Sequence, residues 1–85
     1  SLAGNQWTTY HENDCFSLPI ADIVADQNGG IWIGSEKGLC RYKENEWELF
    51  TPKDGLADKW VLDIDISPDG AIWIATPAGI SKLVP

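Results

Sequence analysis

Short apolar runs broken by turn residues set the pattern of this chain. Ile31-Trp32-Ile33 and Ile72-Trp73-Ile74 are β-branched and aromatic triplets, each preceded closely by glycine and followed by Gly, Ala, Ser or Thr. Such runs read as strands. Leu62, Ile64 and Ile66 alternate with Asp63 and Asp65, a period of two that also belongs to a strand. Asn28-Gly29 and Asp69-Gly70 are strong hairpin signals, because both central residues can take positive φ. No segment carries an apolar i, i+3, i+4, i+7 stripe with caps, so no helix is expected. The pattern predicts strands at about Gln6–Tyr10, Ile20–Ala25, Ile31–Gly34, Gly38–Tyr42 and Glu46–Phe50. A further three follow at Val61–Ile66, Ile72–Ala75 and Gly79–Leu83.

The strands repeat. Residues Ala21–Tyr42 align with Leu62–Leu83 at an offset of 41, with seven identities in 22 positions. Upstream, Trp7, Tyr10 and Asp14 map on Trp47, Phe50 and Asp54 at an offset of 40. The missing residue falls in a loop, where length changes are tolerated. A period near 41 residues made of strands is that of β-propeller blades, each a four-stranded sheet. The expected fold is therefore all-β, with two four-stranded propeller blades at about 20–50 and 61–83. The strand at 6–10 would be the outer strand of a blade in a neighbouring copy or a parent chain.

Composition narrows the function. The chain has 85 residues, 44% hydrophobic and 22% charged, which is globular composition for one small unit. Thirteen acidic against six basic residues give a net charge of −7. That excess argues against nucleic acid and against an anionic membrane surface. No apolar run is long enough for membrane insertion as a helix. There is no Met, so the chain reads as a processed, tagged or excerpted piece of something longer. Cys15 and Cys40 are the only cysteines. Small disulfide-stapled domains usually carry four or more, so free thiols are expected.

The string Asp54-Gly55-Leu56, an apolar strand, Asp69-Gly70 and then Ile72-Trp73-Ile74-Ala75-Thr76 resembles the two-component regulator propeller repeat. Gly38-Leu39-Cys40-Arg41-Tyr42 and Trp47-Glu48-Leu49-Phe50-Thr51 fit the same repeat. The likeness covers nearly the whole chain, about twice over. Two departures are Asp14-Cys15-Phe16 in place of Asp-Gly-Leu, and Ala75 in place of Gly. The resemblance implies a β-propeller of the kind found in periplasmic sensor regions of bacterial hybrid sensor kinases, so a periplasmic or extracellular setting. Virginiamycin-type lyases are similar propellers with an enzyme activity that needs a positioned His, acidic groups and a metal. Here the single His is His11.

Trp32 and Trp73 hold equivalent places and are expected to fill the space between blades. Trp7 and Trp47 read as outer-strand packing. Trp60 has no aromatic counterpart, since it aligns with Pro19, and it lies in a loop expected at the channel mouth. Trp60, Lys59, Asp14, His11, Glu36 and Lys37 are therefore the candidate ligand-binding residues. Asp22, Asp63 and Asp65 are the candidate channel-lining residues, on the expectation that apolar positions face the neighbouring blade. His11, Glu12 and Asp14 cluster without a nucleophile or second His, so no catalytic residue, metal or cofactor is assigned.

The reading that follows is a non-enzymatic sensor or recognition module. A small molecule or saccharide is the ligand expected at its mouth. A lyase-like enzyme and a purely structural self-assembling repeat remain as alternatives. Two blades cannot close a propeller, which takes roughly four or more. Head-to-tail closure of copies, as a trimer first and a tetramer next, is the expected partner relation.

Overall fold

The computed structural model describes residues 4–85, and they form two antiparallel sheets with no α-helix among them. Sheet one runs β1 (Asp22–Ala25), β2 (Ile31–Ser35), β3 (Gly38–Lys43) and β4 (Glu46–Phe50), in that spatial order. Sheet two runs β5 (Asp63–Ile66), β6 (Ile72–Thr76) and β7 (Gly79–Leu83). A single 3₁₀ turn, Pro52–Asp54, links them, capped by Thr51 and closed by Gly55 at φ 116°. Residues 6–10 form no strand. An outer strand needs an edge to pair with, and the edge expected to receive it belongs to another copy.

Local chemistry explains the hairpins. Between β1 and β2 the Asp26 carboxylate accepts from the Asn28 and Gly30 amides at 2.8 Å each. Gly29 alone takes positive φ there, at 85°, and Gly70 does the same at 90° between β5 and β6. Asn28 and Asp69 stay in the ordinary region, so only half of the expected pair is left-handed. The β3–β4 turn uses Glu44 and Asn45 at φ 52° and 67°, and the Asn45 side chain is held by the Tyr42 hydroxyl at 2.9 Å.

Register sorts each sheet into two faces, because residues paired across strands share a face. On one face of sheet one Val24, Trp32 and Arg41 lie in a row, with Asp22, Gly34, Leu39 and Phe50 beside it. That face packs on Val61, Ile64, Ile72 and Ile74 of sheet two, and with Leu56 they make the main core. Gly34 is required in this joint, because a Cβ there would collide with Val61. The opposite face of sheet one carries a second core of Cys15, Phe16, Ile33 and Cys40.

Three expectations are corrected here. Cys15 and Cys40 are joined in a disulfide rather than free. It ties the loop before β1 to β3, and both cysteines are buried. Trp32 is buried at 1% exposure, but Trp73 is 41% exposed, because among the described residues no other sheet packs on its face of sheet two. Leu62 is exposed while Val61 is buried, so the alternation read from Leu62 onward holds only from Asp63. The Val61 amide donates to Ser35 O and the Leu62 amide to Ala75 O, which draws Val61 into the joint.

Candidate functional site

The β2–β3 turn, Glu36–Lys37, sits between two loops. On one side Lys37 Nζ donates to Asn13 O, and the Ser17 amide donates to Ser35 Oγ. On the other side the Val61 amide donates to Ser35 O. Ser35 is fully buried, so it fixes both loops to the end of β2. The Asn13 side chain shapes its own loop by accepting from the Cys15 and Phe16 amides. Asp58 Oδ1 accepts from the Trp60 amide in the other loop. Trp60 is thereby held at this end with 49% of its surface exposed.

The bonds at the end of β2 thus join the loop that carries Asp14 and the loop that carries Lys59 and Trp60 to the Glu36–Lys37 turn. His11 lies exposed upstream and enters none of these contacts. Next to Asp14 is an open hollow of 390 Å³ lined by Asn13, Asp14, Cys15, Trp47 and Leu49. Tyr10 packs beside Trp47, one of its lining residues, with its ring 5.8 Å from Trp47 and 5.3 Å from Tyr42. Trp7, by contrast, is almost wholly exposed.

The candidate channel-lining aspartates lie on two faces. Asp22 lies on the face of sheet one that meets sheet two, and its Oδ2 accepts from the Ile64 amide at 2.8 Å. Asp63 Oδ1 accepts from that same amide at 3.0 Å. Asp22 is therefore a clasp between inner strands β1 and β5. Burial pushes its carboxyl up, but bonds from Asp63 and from the Ile64 and Ile23 amides outweigh this and hold it below the usual range. The bond with Asp22 pushes the Asp63 carboxyl up, so the two share the preference for one proton. Asp65 pairs across the sheet with Trp73, and Asp63 with Ala75, so both lie on the exposed face of sheet two.

Sequence reasoning missed the anchor of Trp32. Its Nε1 donates to Asp26 Oδ2 at 2.9 Å, and Arg41 both pairs with Asp26 at 3.0 Å and lies over the indole at 5.2 Å. Burial pushes the Asp26 carboxyl up, but bonds from Gly30, Arg41, Trp32 and Asn28 hold it far below the usual carboxylate range. The repeat contained the signal. Trp73 Nε1 donates to Ser67 Oγ at 3.1 Å and Lys82 lies over its ring at 5.2 Å, so Ser67 and Lys82 stand where Asp26 and Arg41 do.

No curated protein and no solved structure matches the chain. A family model, described as "Two component regulator propeller", matches residues 16–37, which span the loop after the disulfide, β1, β2 and the turn into β3. Residues 16–37, 22 of the 85, are thus similar to a two component regulator propeller repeat.

Proposed function

We propose that this chain is a non-enzymatic recognition module of propeller type. In this reading its two sheets are consecutive blades, copies of the chain complete the ring head to tail, and the loop end binds a small molecule or saccharide. The observation that carries the ligand reading is the position of Trp60. It is a large aromatic with half of its surface in water, fixed by backbone bonds on a loop tied to Ser35. An exposed indole on a loop tied to the end of β2, where the Glu36–Lys37 turn begins, offers a stacking surface, with Lys59 next to it in sequence.

A glycan array probed with the labelled 85-residue chain tests this. Binding that Trp60→Ala abolishes and Trp7→Ala leaves intact supports the reading. Binding that survives Trp60→Ala, or no binding to any glycan together with no Trp60-dependent hit in a small-molecule screen, overturns it.

A further inference from the structure

The packing between the two sheets is a template for the outer faces they leave free. At the inner joint the face carrying Trp32, Gly34 and Leu39 meets the face carrying Val61, Ile64 and Ile74. The repeat places Trp73, Ala75 and Ile80 at the equivalent points of the trailing face, on sheet two. It places Ile20, Ile23 and Ile33 at the equivalent points of the leading face, on sheet one. The residues match in kind; Ile33 is already buried in the second core, as Ile74 is in the first, while the others differ in exposure. Leu39 is 1% exposed and Ile80 74%; Ile64 is 4% exposed and Ile23 58%. Each outer face is thus half of a joint the molecule already makes once. A monomer rarely leaves apolar surface of this kind in water without a use for it.

We propose that the trailing face docks on the leading face of a second copy, with Trp73 as the central anchor. This rests on the ring reading above and names its contact. Trp73 is preorganised for the purpose, since Ser67 and Lys82 hold its ring as Asp26 and Arg41 hold Trp32. An aromatic fixed in its bound orientation loses little entropy on docking. Ile80 enters the hollow beside Cys15 and Trp47, as its equivalent Leu39 borders the loop at Asp54–Leu56 within the chain. The disulfide fixes that receiving loop before the partner arrives.

A polar clasp accompanies the apolar contact. Within the chain Asp22 reaches the Ile64 amide of the next sheet, which its own Asp63 also holds. On the leading face the equivalent amide, Ile23, is held by its own Asp22 Oδ1 at 2.8 Å. Asp63 of one copy is placed to complete that pattern on the partner's Ile23 amide. The outer faces depart from the template at several points: Ser67 and Lys82 stand for Asp26 and Arg41, Asp65 for Val24, and among the described residues no fourth strand supplies a counterpart of Phe50; the departure at position 34 bears on spacing. Position 34 is glycine because Val61 crowds it, whereas the trailing face carries Ala75 and the leading face the larger Ile20. The copy-to-copy joint is therefore held wider beside the inner strands than the joint within the chain.

Two single variants and their mixture test the contact, by light scattering and sedimentation of the full chain. Ile80→Arg blocks only the trailing face and Ile23→Arg only the leading face; both positions are exposed, and far-UV circular dichroism checks that each variant folds. Wild type is expected as an oligomer, each variant as a 9.4 kDa monomer, and the equimolar mixture as a dimer of about twice that mass. Ala75→Gly is expected to move assembly to lower concentration. A wild-type monomer at high micromolar concentration overturns both the ring reading and this contact. An oligomeric wild type whose single variants still assemble leaves the ring reading standing and overturns the contact. Monomeric variants that fail to pair when mixed also overturn it, because a head-to-tail contact requires them to pair.

Discussion

Trp32→Ala and Trp73→Ala remove the same side chain from equivalent strand positions, yet they should not cost the same. Trp32 is 1% exposed, stacks on Phe50 at a centroid distance of 5.8 Å and is bonded to Asp26. Truncating a buried tryptophan loses its transfer free energy and leaves a cavity, together about 3–5 kcal/mol. Trp73 is 41% exposed. It forfeits only part of the roughly 1.5–3 kcal/mol of transfer free energy of a fully buried aromatic, so about 1–2 kcal/mol, and solvent fills the space. The expected gap is about 2 kcal/mol. Urea unfolding followed by circular dichroism, below the concentration of any assembly, measures it. With a slope of about 1–1.5 kcal/mol per molar urea for a chain of this size, the midpoints should differ by about 1.5–2 M. Equal midpoint shifts would refute the reasoning, because they would mean that the repeat position and not the joint sets burial. A larger loss for Trp73→Ala would refute it more strongly, by showing that sheet two is covered in the dilute chain.

Removing the disulfide by Cys15→Ser with Cys40→Ser should lower unfolding free energy by about 3.5 kcal/mol, the loop-closure value for a separation of 25 residues. Denaturant curves of the oxidised chain and the double variant check this, and coincident curves would contradict it. Asp26 is held below its ordinary 3.8 in the folded state, so its stabilisation is present above that range and is lost as pH falls through the lower folded value. The chain should weaken as pH drops below about 4, with a shallower dependence in Asp26→Asn; parallel thermal melts down the acid range would contradict that. Asp63 has the opposite sign: its raised carboxyl contributes stability at low pH that is lost as pH rises through its folded value. In the dilute chain Asp63→Asn should therefore melt higher than wild type at neutral pH, and the difference should shrink in acid. A difference independent of pH would show that Asp22 and Asp63 do not interact.

Most of the strand layout is legible in the sequence, because strand, turn and repeat signals agree. Glu46–Phe50 and Gly79–Leu83 appear with the ends the pattern predicts. That the loops before β1 and β5 meet the β2–β3 turn is legible as well, since alternate loops of consecutive hairpins share an end. What escaped the sequence depended on environment. Alignment gives Trp32 and Trp73 one identity and cannot say that only one has a neighbouring sheet. The disulfide escaped because cysteine count speaks of compartment and scaffold class, whereas pairing needs two chain segments brought within reach, here with Cα atoms 5.5 Å apart. The Asp22 clasp escaped because alternation on a strand fixes which face a side chain takes and leaves open what that face meets.

The departures between the two repeats have a common physical logic. The loop before sheet two needs no staple, because Leu56 is buried in the joint and the Ala57 amide is held by Ser81 Oγ at 2.9 Å. The equivalent loop before sheet one has sheet support on one side only. There Cys15 replaces Gly55 and Cys40 replaces Ser81, so a covalent bond stands where a single hydrogen bond serves sheet two. Phe16, the counterpart of Leu56, is 2% exposed as a result, although no second sheet covers it. The leading face is therefore ordered without a partner, while its outermost members, Ile20 and Ile23, stay in water. On the trailing face the same division recurs: Ser67 and Lys82 hold Trp73, and its exposed indole surface has no partner among the described residues. Both surfaces are held by bonds within the chain before contact, which lowers the ordering entropy their meeting costs, while the translational and rotational cost of association still has to be met by the apolar area they cover.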